Sequence, residues 1–292
     1  MKITNKTNLP KPLYDMAKRD YTYTEKRYSV TSLLKPTRQL LLTRRHDGEI
    51  EQDCSEMIWM LFGQATHKVL EEKGDAVELF KEEKLTVQLE NGYTVSGILD
   101  LYDIDAGVVT DYKTASVWKV MLKDYEEWRK QGMMYAWLLT KNGLPCNKVV
   151  FYAILKDWSK PESRRKHEYP AQPVVRVEFD VTDESIAEID RYIRDKMDDV
   201  IACESLPDDQ LPMCPADDRW NTGTKYAVMK KGRKTAMRVC DTKNAALEWR
   251  EENGGDYIEE RQGEDKRCID YCSCCAFCPH WQANYKTEDE GV

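Results

Sequence analysis

Gly97-Ile98-Leu99-Asp100, followed by Asp111-Tyr112-Lys113-Thr114, is the stretch on which the fold turns. Tyr93 to Tyr102 and Val108 to Lys113 have the composition of strands, and Asp105-Ala106-Gly107 between them has that of a turn. The two strands are therefore expected to pair as a hairpin, which brings Asp100 alongside Asp111. Side chains alternate along a strand, so Asp111 and Lys113 share a face and Tyr112 points the other way. Two carboxylates on one patch suit a hard divalent cation such as Mg²⁺, which takes oxygen ligands and keeps several waters. Lys113 beside them can orient or deprotonate an attacking water, or stabilise charge developing on a phosphate. Together these parts suit metal-assisted phosphodiester hydrolysis. An acid-x-lysine pair alone is an ordinary strand-end pattern, so its weight rests on what surrounds it.

Upstream, Met57, Ile58, Leu61, Phe62, Ala65, Val69 and Leu70 recur at helical spacing from Ser55 onward. Asp53 or Ser55 can cap this helix and Gly74 can end it. It carries Gly63 and His67, with Glu71 one turn beyond His67, and an imidazole can complete a metal's shell. Leu79 to Leu89 reads as a strand leading into the hairpin turn Asn91-Gly92. Downstream, Val117 to Lys141 reads as one long helix stopped by Asn142-Gly143 and Pro145. Gln131 and Tyr135 sit four apart on it and can hydrogen-bond a phosphate or a base. Lys148 to Leu155 is a strand in the apolar style of a buried position, Val174 to Val181 another, and Glu184 to Cys203 an amphipathic helix. The first fifty residues are polar, with Tyr28 to Leu34 the earliest piece that reads as ordered. The order helix, three strands, helix, strand describes an α/β fold with a central mixed sheet flanked by helices.

Near residue 206 the composition shifts, dividing the chain into a core, 1–206, and a small α+β region, 207–292. Tyr226 to Met229 and Thr235 to Val239 read as a hairpin whose turn carries Lys230, Lys231, Arg233 and Lys234. Asn244 to Glu251 follows as a helix and Tyr257 to Glu259 as a strand. The net charge of −8 argues against a protein that coats nucleic acid over its whole surface, yet this turn is a local cationic patch able to hold phosphates. A mean hydropathy of −0.70 and the absence of an apolar run of bilayer length exclude a helical membrane span. No apolar segment follows the charged start, so a cytoplasmic chain is expected. Ten cysteines are many for such a chain, and Cys268, Cys272, Cys274, Cys275 and Cys278 crowd near its end. In a reducing compartment such crowding reads as a metal site rather than a disulfide framework.

Gly63-x-x-x-His67, Gly97-x-x-Asp100, Asp111-Tyr112-Lys113 and Gln131-x-x-x-Tyr135 together resemble the successive motifs of the RecB-like branch of the PD-(D/E)xK nuclease superfamily. The resemblance implies a restriction-endonuclease-like core and a DNA substrate. It makes His67, Asp100, Asp111 and the Tyr112 backbone carbonyl ligands to Mg²⁺ or Mn²⁺, Lys113 the catalytic lysine, and Gln131 and Tyr135 the substrate-side pair. It further implies an exonuclease, of phage type, trimming double-stranded ends for recombination or repair, with a single-strand annealing protein as a partner by analogy. A nuclease for single strands or for processing CRISPR spacers, and a non-catalytic DNA-binding module, are the alternatives.

A subset of these nucleases carries an iron-sulfur cluster whose last three cysteines lie near the C-terminus. Cys268-x3-Cys272-x5-Cys278 is similar to that spacing, with Cys275 an alternate. The fourth ligand is assigned to Cys214, in the proline-flanked loop Pro212-Met213-Cys214-Pro215, with Cys54 as its alternate. The expected group is [4Fe-4S], and structural Zn²⁺ on the same thiolates is the other option.

Overall fold

The computed structural model describes residues 1–18, 23–73, 79–80 and 84–286. They fall in two compact units, Met1–Leu206 and Pro207–Val292.

The first unit begins with β1 (Lys2–Thr4), α1 (Lys11–Ala17), β2 (Arg27–Ser29), α2 (Val30–Leu33), α3 (Thr37–Arg45) and β3 (Glu51–Asp53). β1 and β3 pair in parallel, and Asp53 ties the segment together. Its carboxylate accepts from the hydroxyls of Thr4 and Thr7 at 3.1 and 3.0 Å, from the Lys6 backbone N–H, and from Ser55 N–H at 3.1 Å. Side-chain-to-backbone bonds of this kind leave no periodicity to read, which is why this region carried little pattern. A 3₁₀ turn at Cys54–Met57 leads into α4 (Ile58–Lys73). The expected stop at Gly74, and the side chain of Glu71, lie outside the described residues.

β4 (Leu79–Phe80), β5 (Lys84–Gln88), β6 (Thr94–Ile98), β7 (Leu101–Asp103) and β8 (Val108–Ala115) follow, then α5 (Val117–Met121), α6 (Glu126–Lys141) and β9 (Lys148–Leu155). α7 (Lys160–Arg165), β10 (Val174–Asp180) and α8 (Asp183–Glu204) complete the unit. The main sheet has the order β10-β9-β8-β7-β4, and a smaller one the order β2-β6-β5. Only the β8–β9 pair of the main sheet is parallel, so the sheet is mixed, as expected. β9 lies between β8 and β10 beneath α6, which explains its nearly unbroken apolar run. Trp137, Met134, Leu138 and Leu139 of α6 are fully buried with Val149 and Phe151 of β9. α8 starts on a Thr182–Ser185 capping box and packs along α6, with Trp137 Nε1 donating to Asp190 at 2.7 Å.

Two elements differ from their sequence reading. Tyr93 to Tyr102 is not one strand: it divides into β6 and β7, which belong to different sheets. The alternation fails there, with Val95, Ser96 and Gly97 buried in succession and Ile98 exposed. Asp100, at the break, uses its carboxylate to accept Tyr112 N–H at 3.0 Å. Likewise, Val117 to Lys141 is two helices. Lys123 adopts a left-handed backbone, φ 52°, between α5 and α6. Glu126-Glu127 in the middle of the expected helix is an acidic first turn, favoured at a helix N-terminus by the macrodipole. Residues 81–83 of the expected Leu79–Leu89 strand lie outside the described residues.

Gly97 has a packing reason. A Cβ there would lie 2.6 Å from Leu138 Cδ1 and 3.1 Å from Tyr135 Cε1, so the bare backbone lets α6 sit against β6. Gly97→Ala should cost about 1–3 kcal/mol through overpacking. Urea unfolding would show it as a lower midpoint with an unchanged slope.

In the second unit, β11 (Lys225–Met229), β12 (Arg238–Cys240), α9 (Lys243–Asn253) and β13 (Tyr257–Arg261) form an antiparallel sheet, order β12-β11-β13, with α9 packed on it. The second strand of the hairpin is shorter than the expected Thr235–Val239 and begins at Arg238, which leaves a longer turn. α10 (Lys266–Asp270) carries Cys268, and α11 (Pro279–Asn284) follows Cys278. Among the described residues no helix is long and apolar enough to cross a membrane.

Candidate active site

The β7–β8 hairpin pairs Leu101 with Thr110, so Asp100 stands at the next position beside Asp111. Asp111 is 2% exposed. Lys113 Nζ lies 2.7 Å from Asp111 Oδ1, yet this oxygen, shielded from solvent, receives no well-directed hydrogen bond. Burial pushes the Asp111 carboxyl well above the usual carboxylate range, with the Lys113 ammonium pulling it back and the charge of Asp100 adding to the rise. A buried carboxylate so placed calls for a further cation to keep it ionised.

His67 reaches the pair from α4, with Nδ1 3.1 Å from Asp100 Oδ2. That hydrogen bond is the main cause of its raised pKa, against the opposing effect of burial. Gly63, one turn earlier, faces the end of β8, where an added Cβ would lie 3.3 Å from Thr114 Oγ1. From α6, Gln131 Nε2 donates to Tyr135 Oη at 2.9 Å and lies 3.5 Å from Asp111 Oδ2. Both residues are buried, so Gln131 sits behind Asp111 rather than on open surface. Tyr135 borders a groove that also includes Arg27, Lys35, Lys84 and Gly97. Tyr112 points away from Asp111 as alternation requires, its ring edge-on to His67 and stacked on Tyr152. The sequence reading thus named residues that the fold does bring together: His67, Asp100, Asp111, Lys113, Gln131 and Tyr135.

Among the described residues no three His, Cys, Asp or Glu side chains converge closely enough to form a ready metal shell. The test of fit is therefore Asp111 Oδ1. A buried carboxylate oxygen with no well-directed hydrogen bond, ion-paired to Lys113 and beside a second carboxylate and an imidazole, is a donor set suited to a divalent cation.

None of the ten cysteines, all within the described residues and seven of them in the second unit, is in a disulfide. The Cys268 thiol is pushed up to about 12, first by burial and then by the neighbouring Cys272, Asp265, Cys214 and Cys278. These thiols feel one another's charge, but among the described residues they do not form a ready metal shell. Cys272 Sγ also lies 3.6 Å from Cys274 Sγ, and Cys275 N–H donates to the Cys272 carbonyl. Cys54, the alternate fourth ligand, is fully buried among Ala17, Met57 and Leu61 and donates to Asn5 Oδ1 at 3.2 Å.

Asp265 was not singled out from the sequence. Its carboxylate, 1% exposed, accepts from Asn221 at 2.6 Å, Arg219 at 2.5 Å, His280 at 2.7 Å and Tyr285 at 3.1 Å. Burial would raise it, but these donors hold it at about 2. Arg219 also donates to the Cys214 carbonyl at 3.0 Å, and Cys268 N–H to that of Asp265 at 2.9 Å. The network thereby fixes the backbone at two of the cysteines. A sequence signal existed in an acid just before Cys268 and a His just after Cys278. Lys230, Lys231, Arg233 and Lys234 are all exposed in the β11–β12 turn, which Lys231 N–H anchors to Asp256 at 2.6 Å.

A mixed sheet that presents two carboxylates and a lysine on adjoining strands, with a histidine from the preceding helix, has the groups that metal-assisted phosphodiester hydrolysis requires. The chain belongs to the PD-(D/E)XK nuclease superfamily, whose family model matches residues 23–221. The protein is accordingly a nuclease, of a superfamily that generally uses divalent metals. Among solved structures it is similar to the protein SSO0001, at 18% identity over 64% of this chain and 81% of that one, TM-score 0.46. It is also similar to an alkaline exonuclease from Laribacter hongkongensis, at 12% identity over 61% and 89%, TM-score 0.38. A phage-related exonuclease from Haemophilus somnus follows at 13% identity over 66% and 79%, TM-score 0.30. No curated protein matches the sequence. The family assignment rests on the sequence match over residues 23–221.

Proposed function

We propose that the protein is a Mg²⁺- or Mn²⁺-dependent deoxyribonuclease that digests double-stranded DNA from its ends, in recombination or repair. The observation that carries the hydrolytic reading is Asp111 Oδ1, buried and without a well-directed partner, with Lys113 Nζ 2.7 Å away and Asp100 alongside. His67, Asp100, Asp111 and the Tyr112 carbonyl would hold the cation. When bound, it polarises the phosphate and acidifies a water. Lys113 donates hydrogen bonds to that water and to the phosphate oxygens as charge builds on them. The water oxygen bonds to phosphorus, the P–O bond to the leaving sugar oxygen breaks, and the water's proton passes to solvent while the leaving oxygen gains one. Gln131 keeps Asp111 oriented, and Tyr135 meets the DNA strand from the groove beside it.

The exonuclease reading is tested with linear and covalently closed DNA in Mg²⁺, Mn²⁺ or EDTA. Loss of the linear form alone supports it. Cutting of circles points to an endonuclease, cutting of single strands alone to the single-strand alternative, and binding without cleavage to a DNA-binding module.

Cys214, Cys268, Cys272 and Cys278 are proposed to hold a structural [4Fe-4S] cluster, with Zn²⁺ the other possible outcome. The exposed turn of Lys230, Lys231, Arg233 and Lys234 is proposed to grip the DNA backbone. Replacing all four by glutamine should weaken binding and lower the slope of log K against log salt by roughly 0.9 per lost phosphate contact. Fluorescence anisotropy across a salt series checks this, and an unchanged slope assigns the charges to a solvated turn. A single-strand annealing partner is part of the same proposal and is tested by co-purification of the two proteins.

A further inference from the structure

We propose that Trp59 is a base-stacking subsite, holding the base of a nucleotide that flanks the scissile phosphate. The inference rests on the nuclease reading above and adds a residue that none of its motifs contains. Trp59, Gly63 and His67 follow one another at four-residue steps along α4, and all three border the same open pocket as Asp100 and Lys113. Trp59 therefore faces the pocket of the candidate catalytic residues from the helix that supplies His67. Eight residues of helix, about 12 Å, separate the two, which puts the indole within reach of nucleotides next to a phosphate held at the carboxylates.

Its exposure is the second observation. Met57 and Leu61, on either side of it, are 3% and 2% exposed, while Trp59 is 61% exposed. The indole is thus not part of the core of its own helix, and a large flat apolar group is left facing a pocket of polar residues. Lys156 Nζ stands 4.5 Å from the ring centroid, and Lys68 borders the same pocket. An indole for the base with ammonium groups for the adjoining phosphates is the chemistry of nucleotide recognition, and it favours no sequence because every base has a π face. Thr31 borders both this pocket and the groove of Arg27, Lys35 and Lys84, so the two adjoin at that residue.

The test uses the full chain and linear oligonucleotides carrying a single abasic residue at successive positions, read by binding in Ca²⁺ and by cleavage in Mg²⁺. For the wild type, removing the base at one position beside the cleaved bond should weaken binding about tenfold and raise KM about tenfold, within the range of base–aromatic stacking. In Trp59→Ala that penalty should vanish, KM for intact DNA should rise by a similar factor, and kcat should change much less. Trp59→Phe should restore part of the effect. An exposed position makes misfolding of either variant a minor concern, and thermal unfolding checks it. An abasic profile without a sensitive position, or one identical in wild type and Trp59→Ala, overturns the inference while leaving the nuclease reading intact. Failure of the wild type to cut any DNA sinks the nuclease reading instead, and the binding profile still decides the role of Trp59.

Discussion

Lys113→Ala is expected to lower the rate of DNA cleavage by about a thousandfold or more, with the fold unchanged. Removing one well-placed donor to developing charge costs on the order of 10²–10³ in rate, and Lys113 is also the cation nearest Asp111. Asp111→Asn should be at least as damaging, because it removes the anionic oxygen proposed to hold the cation. The two variants should differ in stability from ordinary core substitutions. Asp111 is a buried carboxylate whose ionisation is opposed by burial, so replacing it with a neutral amide relieves a cost rather than adding one. Lys113 is partly exposed and can turn its ammonium to water when its partner is lost. Asp111→Asn should therefore unfold in urea at the same concentration as the wild type or a higher one, while being inactive. A pair of variants that is inactive because it is unfolded would be a different result and would remove the support for a dedicated centre.

The second large effect concerns the thiols. Serine at Cys214, Cys268, Cys272 or Cys278 should each abolish the metal binding proposed for them and loosen the second unit, whereas serine at Cys240, on β12, should leave that binding in place. Binding by a structural site appears as folding free energy, on the order of 10 kcal/mol for zinc in small domains. A loss of that kind cannot be offset by the small sheet formed by β11, β12 and β13. Elemental analysis of anaerobically prepared protein, together with its visible absorbance, distinguishes iron-sulfur from zinc. A colourless wild-type protein containing neither element contradicts the proposal.

The motif residues were legible because strand alternation and helical spacing are local rules. Asp111 and Lys113 share a face for that reason, and the hairpin around Asp105-Ala106-Gly107 follows from turn composition. What stayed hidden depends on tertiary contacts. Asp100 lies at a strand break that the sequence alone did not reveal, since β6 is held in the smaller sheet in part by β2, distant in sequence, while β7 joins the main sheet. Glu126-Glu127 did mark the start of α6, but the apolar spacing of the preceding residues masked it. Asp53 and Asp265 organise their surroundings through hydrogen bonds, which have no period. The close approach that explains Gly97 requires Leu138 and Tyr135 to be in place first. Trp59 is not among the residues whose spacing marks its helix, and its exposure in the pocket that His67 also lines is what sets it apart.

The most direct measurement of the central claim is digestion of end-labelled linear duplex DNA by wild type and Asp111→Asn protein, each with Mg²⁺, with Mn²⁺ and with EDTA. Wild-type protein should release labelled nucleotides in either metal and none in EDTA, and Asp111→Asn should release none in any condition. Cleavage that survives EDTA, or that Asp111→Asn performs at the wild-type rate, would contradict the assignment of hydrolysis to this carboxylate centre.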